Sequence, residues 1–114
     1  MLGLSMIKGM FGDNVNILSV KNEDGLNAVY RGIIDANKTY GRSNCVIVGD
    51  NAIIDFGDGT CWYLINKCNA EGKMVCAFMH TPIGDTFWHT PEADKDIIID
   101  LANTVKSVNE SVCA

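Results

Sequence analysis

The chain has two histidines, His80 and His89, and five cysteines, Cys45, Cys61, Cys68, Cys76 and Cys113. If Cys61 and His80 stand opposite one another on paired strands, their side chains can touch. A Cys–His pair is the smallest unit of nucleophilic catalysis. With Cys76 and Asp85 nearby, the same residues have the donor types of a zinc site. Three observations weigh against both chemistries. No CxxC occurs, and the intervals are long and irregular. Most of the cysteines sit in apolar runs, where a thiol acts as a small hydrophobe. No oxyanion-hole donors can be identified. The simpler account is a buried Cys beside a half-buried His, so the chain is expected not to be an enzyme and to carry no cofactor.

Asp50, Asp55 and Asp58 fall at neighbouring turns or strand ends. Three carboxylates close to backbone carbonyls can hold a hard cation, although the spacing is not that of an EF-hand loop. Asp and Gly are also what tight turns use. These three, with His80, are therefore weak metal candidates, and no metal is expected. Asp55-Phe-Gly57 resembles the magnesium-binding signature of protein kinases, but every other kinase motif is missing. The longer string Asp55-Phe-Gly-Asp-Gly-Thr60 resembles a turn of PKD-type extracellular β-sandwich modules over six residues. Those modules are all-β, whereas this chain has two good helical segments, so the likeness is one of turn chemistry.

Aromatic area concentrates in residues 62–88: Trp62, Tyr63, Phe78, Phe87 and Trp88. Aromatics on a sheet can stack a planar ligand or anchor a protein partner. Phe87-Trp88-His89 lies between two loop signals and is expected to be partly exposed, which makes it the first choice for a partner contact. Just beyond it the chain is acidic. Asp85, Glu92, Asp94, Asp96, Asp100 and Glu110 outnumber Lys95 and Lys106 in residues 85–110. Acids early in a helix are favoured by its dipole, and the same patch suits a basic partner. Asp94, Asp96 and Asp100 are the residues expected to meet one.

The elements that must position these residues follow from periodicity. Residues 5–11 suit a short helix, and Val15 to Val20 reads as a strand. Asn22-Glu-Asp-Gly25 is a turn able to start a helix. Leu26, Val29, Tyr30, Ile33 and Tyr40 then form one stripe, and Gly41 ends it. Strands are expected at 45–48, 52–56, 61–68 and 73–80, joined by turns at 49–51, 57–59 and 69–72. Thr81-Pro-Ile-Gly84 is a loop, and Thr86–Thr90 a short edge strand. Thr90-Pro91-Glu92 has the residues of a helix start. The last helix should run to about Ser111, with Ile98, Leu101, Val105, Val108 and Val112 as its seam. That seam fits packing on the sheet better than a coiled coil, since it spans only about two heptads. The expected class is α+β: an antiparallel four- to five-stranded meander with two main helices, in the order β-α-β-β-β-β-α, plus a possible short N-terminal helix. One domain accounts for all 114 residues.

The hairpin 61–80 shapes the functional expectation. One face carries Cys61, Tyr63, Ile65, Cys76, Phe78 and His80. The other carries Trp62, Leu64, Val75, Ala77 and Met79. A strand with one wet face alternates apolar with polar, and this one does not, so both faces need cover. Two helices cover about one face, and a second copy of the chain is the expected cover for the other. Net charge −5, isoelectric point near 4.7 and only two arginines disfavour nucleic-acid binding. Free thiols point to a reducing compartment, hence a cytoplasmic location, and no stretch is long enough to span a membrane. The first expectation is a non-enzymatic, homodimeric interaction protein of the inhibitor or adaptor type, binding through the acidic helix and the Phe87–His89 corner. The first alternative is a nucleotide- or metabolite-binding protein, its pocket at a subunit interface lined by Trp62, Tyr63, Phe78 and Trp88, with Arg31, Arg42 or a Lys meeting any phosphate. The second is a metal- or Cys/His-dependent hydrolase.

Overall fold

A computed structural model of the chain describes residues 3–39, 44–48, 51–55 and 61–112, with side chains over 3–35 and 62–110. It is an α+β fold. In chain order come α1 (Leu4–Phe11), β1 (Asn16–Ser19), α2 (Glu23–Thr39), β2 (Asn44–Val48), β3 (Asn51–Asp55), β4 (Cys61–Cys68), β5 (Met74–Thr81), β6 (Gly84–His89) and α3 (Lys95–Val112). The strands form one sheet in the order β1-β6-β5-β4-β3-β2.

The consecutive strands β2 to β6 form the antiparallel meander that the turn spacing implied. The expectation of an all-antiparallel sheet of four or five strands is corrected at its other end. β1 runs parallel to β6, with Asn16 beside Thr86 and Ser19 beside His89. This makes six strands and a mixed sheet, and β6 is not an edge strand. A parallel neighbour far along the chain leaves no local turn signal, so periodicity cannot announce it.

The helices take opposite faces of the sheet. On one face α2 packs Leu26, Tyr30 and Ile34 against Leu64, Met74, Ala77 and Trp88. Asn22 starts this helix by accepting the Gly25 N–H at 3.0 Å, the arrangement that satisfies an orphan donor of the first turn. Leu26 and Tyr30 of the expected stripe are buried and Ile33 is half-buried, whereas Val29 is exposed, Ile34 is buried in addition, and Tyr40 lies outside the described residues. On the other face α1 and α3 bring Ile7, Phe11, Ile98 and Leu101 onto Tyr63, Ile65, Cys76, Phe78 and Phe87. The short N-terminal helix is thus present. It ends at Gly12, whose φ of 108° is open to glycine and costly to other residues.

Each face of the hairpin is therefore covered from within the chain. One face lies under α2 and the other under α1 and α3, so neither face is left to a second copy as its only cover. Two further expectations are corrected. Phe87, Trp88 and His89 are 0%, 8% and 6% exposed, because β6 is flanked on both sides and covered above and below. The C-terminal helix does not start at Thr90-Pro91. Thr90 is buried and its N–H is bonded to Val75 O at 2.9 Å. Pro91 and Glu92 form a turn closed by the Ala93 N–H on Thr90 O at 3.1 Å, and α3 begins at Lys95 with Asp94 Oδ1 accepting the Ile97 N–H at 3.0 Å. Among the described residues no helix is long and apolar enough to cross a membrane.

Candidate functional site

Strand register sets the site. Tyr63 on β4 stands beside His80 on β5, and His80 stands beside Asp85 on β6. Side chains level with one another across neighbouring strands point to the same face. The three therefore form a polar row on the face that α1 and α3 cover. The turn that aligns them is Thr81-Pro82-Ile83-Gly84. Thr81 pairs with Gly84, and the Thr81 hydroxyl donates to Gly84 O at 2.8 Å. A hairpin this tight fixes position 80 opposite position 85.

Within the row, His80 Nδ1 lies 2.7 Å from Asp85 Oδ1. An ionised carboxylate can only accept, so Nδ1 carries the proton and donates it. That leaves Nε2 of His80 as the ring nitrogen open to a ligand. The Tyr63 and His80 rings stack at 5.0 Å between centroids, 22° from parallel. Tyr63 is buried, and burial, aided by the charge of Asp85, pushes its phenol from 10.0 to about 12. The phenol is therefore a neutral hydrogen-bond group near pH 7, not a base.

The row forms part of the wall of a cavity of about 530 Å³. The remaining wall comes from Met10 and Phe11 of α1, Phe78 of β5, and Ile99, Ala102, Asn103, Val105, Lys106 and Asn109 of α3. The cavity opens where the α3 seam loosens. Ile98 and Leu101 are fully buried, whereas Val105 and Val108 are only partly so. A second cavity of about 410 Å³ lies beside the 81–84 turn and shares Phe11, His80 and Asp85 with the first. The His80–Asp85 pair thus lines both. Its floor is aromatic: Phe11 stacks on Phe78 at 5.1 Å and on Phe87 at 4.9 Å.

The candidate residues read from sequence separate into groups. Tyr63, Phe78 and His80 come together at this cavity. Arg31 is exposed on α2, across the sheet from it. Trp62 alternates with Tyr63 and faces the α2 side, so it does not line the cavity. Arg42, Asp50 and Asp58 lie outside the described residues, and the side chains of Asp55 and Cys61 lie outside the described side chains. His80 has Tyr63, not Cys61, as its neighbour on β4. The other cysteine–histidine juxtaposition is Cys76 beside His89. Both are buried, and burial raises the Cys76 thiol from 9.0 to about 12, so no thiolate is available near neutral pH. Among the described residues no group of three or more His, Cys, Asp or Glu side chains could hold a metal ion.

Asp94, Asp96 and Asp100 are exposed at the start of α3. Two of them have structural work. Asp94 caps the helix, and Asp100 Oδ2 pairs with Lys67 Nζ of β4 at 3.1 Å. Sequence reasoning missed Lys106, Asn103 and Asn109, which give the cavity its polar rim. Their signal was faint: polar residues beside the Val105 seam on a helix otherwise read for its acids. No protein-family model, curated protein or solved structure matches the chain.

Proposed function

We propose that the chain is a small-ligand-binding protein whose pocket lies between the sheet and α3, inside one copy of the chain. The observation that carries this reading is the Tyr63–His80–Asp85 row opening into a cavity of about 530 Å³. Metabolite sites commonly have this size and this mixture of apolar walls with a few convergent polar groups. The pocket uses Tyr63 and Phe78 but needs neither Arg31 nor a subunit interface. Thermal-shift screening against metabolites at millimolar concentration tests it. A ligand at a hundredfold excess over its Kd stabilises the fold by about 2.7 kcal/mol. The expected result is a ligand whose stabilising effect vanishes in His80→Gln. Absence of any stabilising compound across nucleotides, amino acids, sugars and organic acids would remove the reading.

An acidic docking surface for a basic macromolecule comes second. What favours it is the exposure of Asp94, Asp96 and Asp100, and it is weakened by the cap and ion pair that already occupy two of them. Charge reversal at Asp96, which has neither duty, is the clean test. A partner retained by Asp96→Lys as well as by the wild type would count against this surface.

A further inference from the structure

We infer that the pocket takes a zwitterionic small molecule, one carrying a free ammonium and a free carboxylate, of which an α-amino acid with an apolar side chain is the simplest. The inference rests on the pocket reading above and adds the ligand class. Its basis is that the cavity presents one charge of each sign on opposite walls. Asp85 stands on the sheet, half-buried, with Oδ1 occupied by the His80 N–H. Among the described residues, Oδ2 of Asp85 makes no hydrogen bond, so it can accept from an ammonium. Lys106 stands on α3, and among the described residues its ammonium has no ion pair. Its flexible four-carbon stem lets it follow a carboxylate without a fixed spacing. Asn103 and Asn109 flank it with amide donors.

A ligand charge taken out of water must be paired. A simple acid pairs with Lys106 but meets the Asp85 charge, and a simple amine pairs with Asp85 but meets Lys106. A zwitterion answers both, and its side chain lies against Phe11, Phe78 and Val105. His80 then acts as a positioning residue. It holds the Asp85 carboxylate in one orientation, in the way outer partners fix a ligating group.

The test compares L-phenylalanine, 3-phenylpropionate and phenethylamine by amide NMR titration of the full chain, reading shifts at β5, β6 and 102–109. Phenylalanine is expected to bind at least tenfold more tightly than either analogue. Asp85→Asn should narrow its advantage over 3-phenylpropionate, and Lys106→Gln its advantage over phenethylamine. Both sites are at least partly exposed, and dispersed spectra would show that the variants fold. An analogue with one charge that shifts the same amides at equal affinity overturns the zwitterion while leaving the pocket standing. If none of the three binds but the wider screen finds a ligand at these amides, the zwitterion falls alone. If the screen finds none, both fall.

Discussion

The two faces of the sheet are built from the same hairpin and finished differently. On the α2 face a single long helix presents Leu26, Tyr30 and Ile34 at four-residue spacing, and they close on Leu64, Ala77 and Trp88. On the other face the cover is divided between the eight-residue α1 and the longer α3. The two helices share one aromatic floor, Phe11 on Phe78 and Phe87, but beyond Leu101 the α3 seam is only partly buried, and α1 and α3 both line the cavity. The lesson concerns division of labour. A face covered by one continuous stripe becomes core. A face covered by two pieces has a seam, and polar side chains such as His80 and Asp85 can occupy it without being sealed from water.

The difference can be broken by measurement. The largest effect is expected for Phe11→Ala, which removes the ring holding α1 to the sheet. Urea unfolding should show a loss of about 3–5 kcal/mol. A loss under about 1 kcal/mol would mean that α1 is not part of the core. Next is a matched pair. Leu26→Ala on the closed face should cost about 2–5 kcal/mol, and Val105→Ala beside the cavity less than about 1.5 kcal/mol. Equal costs would erase the distinction between the faces.

A third comparison uses alkali. Tyr63 and Cys76 both face α1 and α3, and their folded-state values near 12 lie above the 10.0 and 9.0 of the free groups. A raised value in the folded state means stability that is whole below pH 9 and is lost as pH climbs towards 12. The urea midpoint should fall over that window, and Tyr63→Phe should flatten its upper part. An unchanged slope in that variant would show that the Tyr63 phenol is not what burial protects. The smallest effect is expected for Asp85→Asn. The His80–Asp85 pair is 28% and 31% exposed, and partly solvated pairs contribute about 1 kcal/mol or less. A loss above about 3 kcal/mol would make the pair structural and would argue against a ligand role for it.

The legible parts of the fold were those written in local spacing. The strands from β2 to β6 and the three helices follow from turn residues and periodicity, because a hairpin or a helix is decided by neighbours. The pairing of β1 with β6 is decided by residues far apart, and no spacing reports it. Without that pairing Phe87–His89 reads as an edge, whereas β6 lies inside the sheet between β1 and β5. The faces of β4 and β5 were read correctly for Tyr63, Ile65, Cys76 and Phe78. They failed at Val75, where the register shift beside Lys67 and Cys68 turns Val75 to the α3 side with Cys76. A bulge of this kind reverses alternation locally. At the site, His80 and Asp85 could be paired in advance, given a two-residue turn at Pro82-Ile83. Their meeting with Lys106 could not, since it depends on how α3 crosses the sheet.

The parallel edge strand also bears on how the molecule is made. Asn16 and Thr86 are neighbours in the sheet but about 70 residues apart in the chain. During synthesis β1 emerges early and has no place to dock until β6 exists. Until β1 docks, β6, carrying Phe87 and Trp88, presents an open row of backbone groups beside a large apolar surface. Such an edge recruits strands from other molecules. The intramolecular docking of β1 thus competes with aggregation, and a chain slowed at this step should be lost to insoluble material before its stability is ever tested.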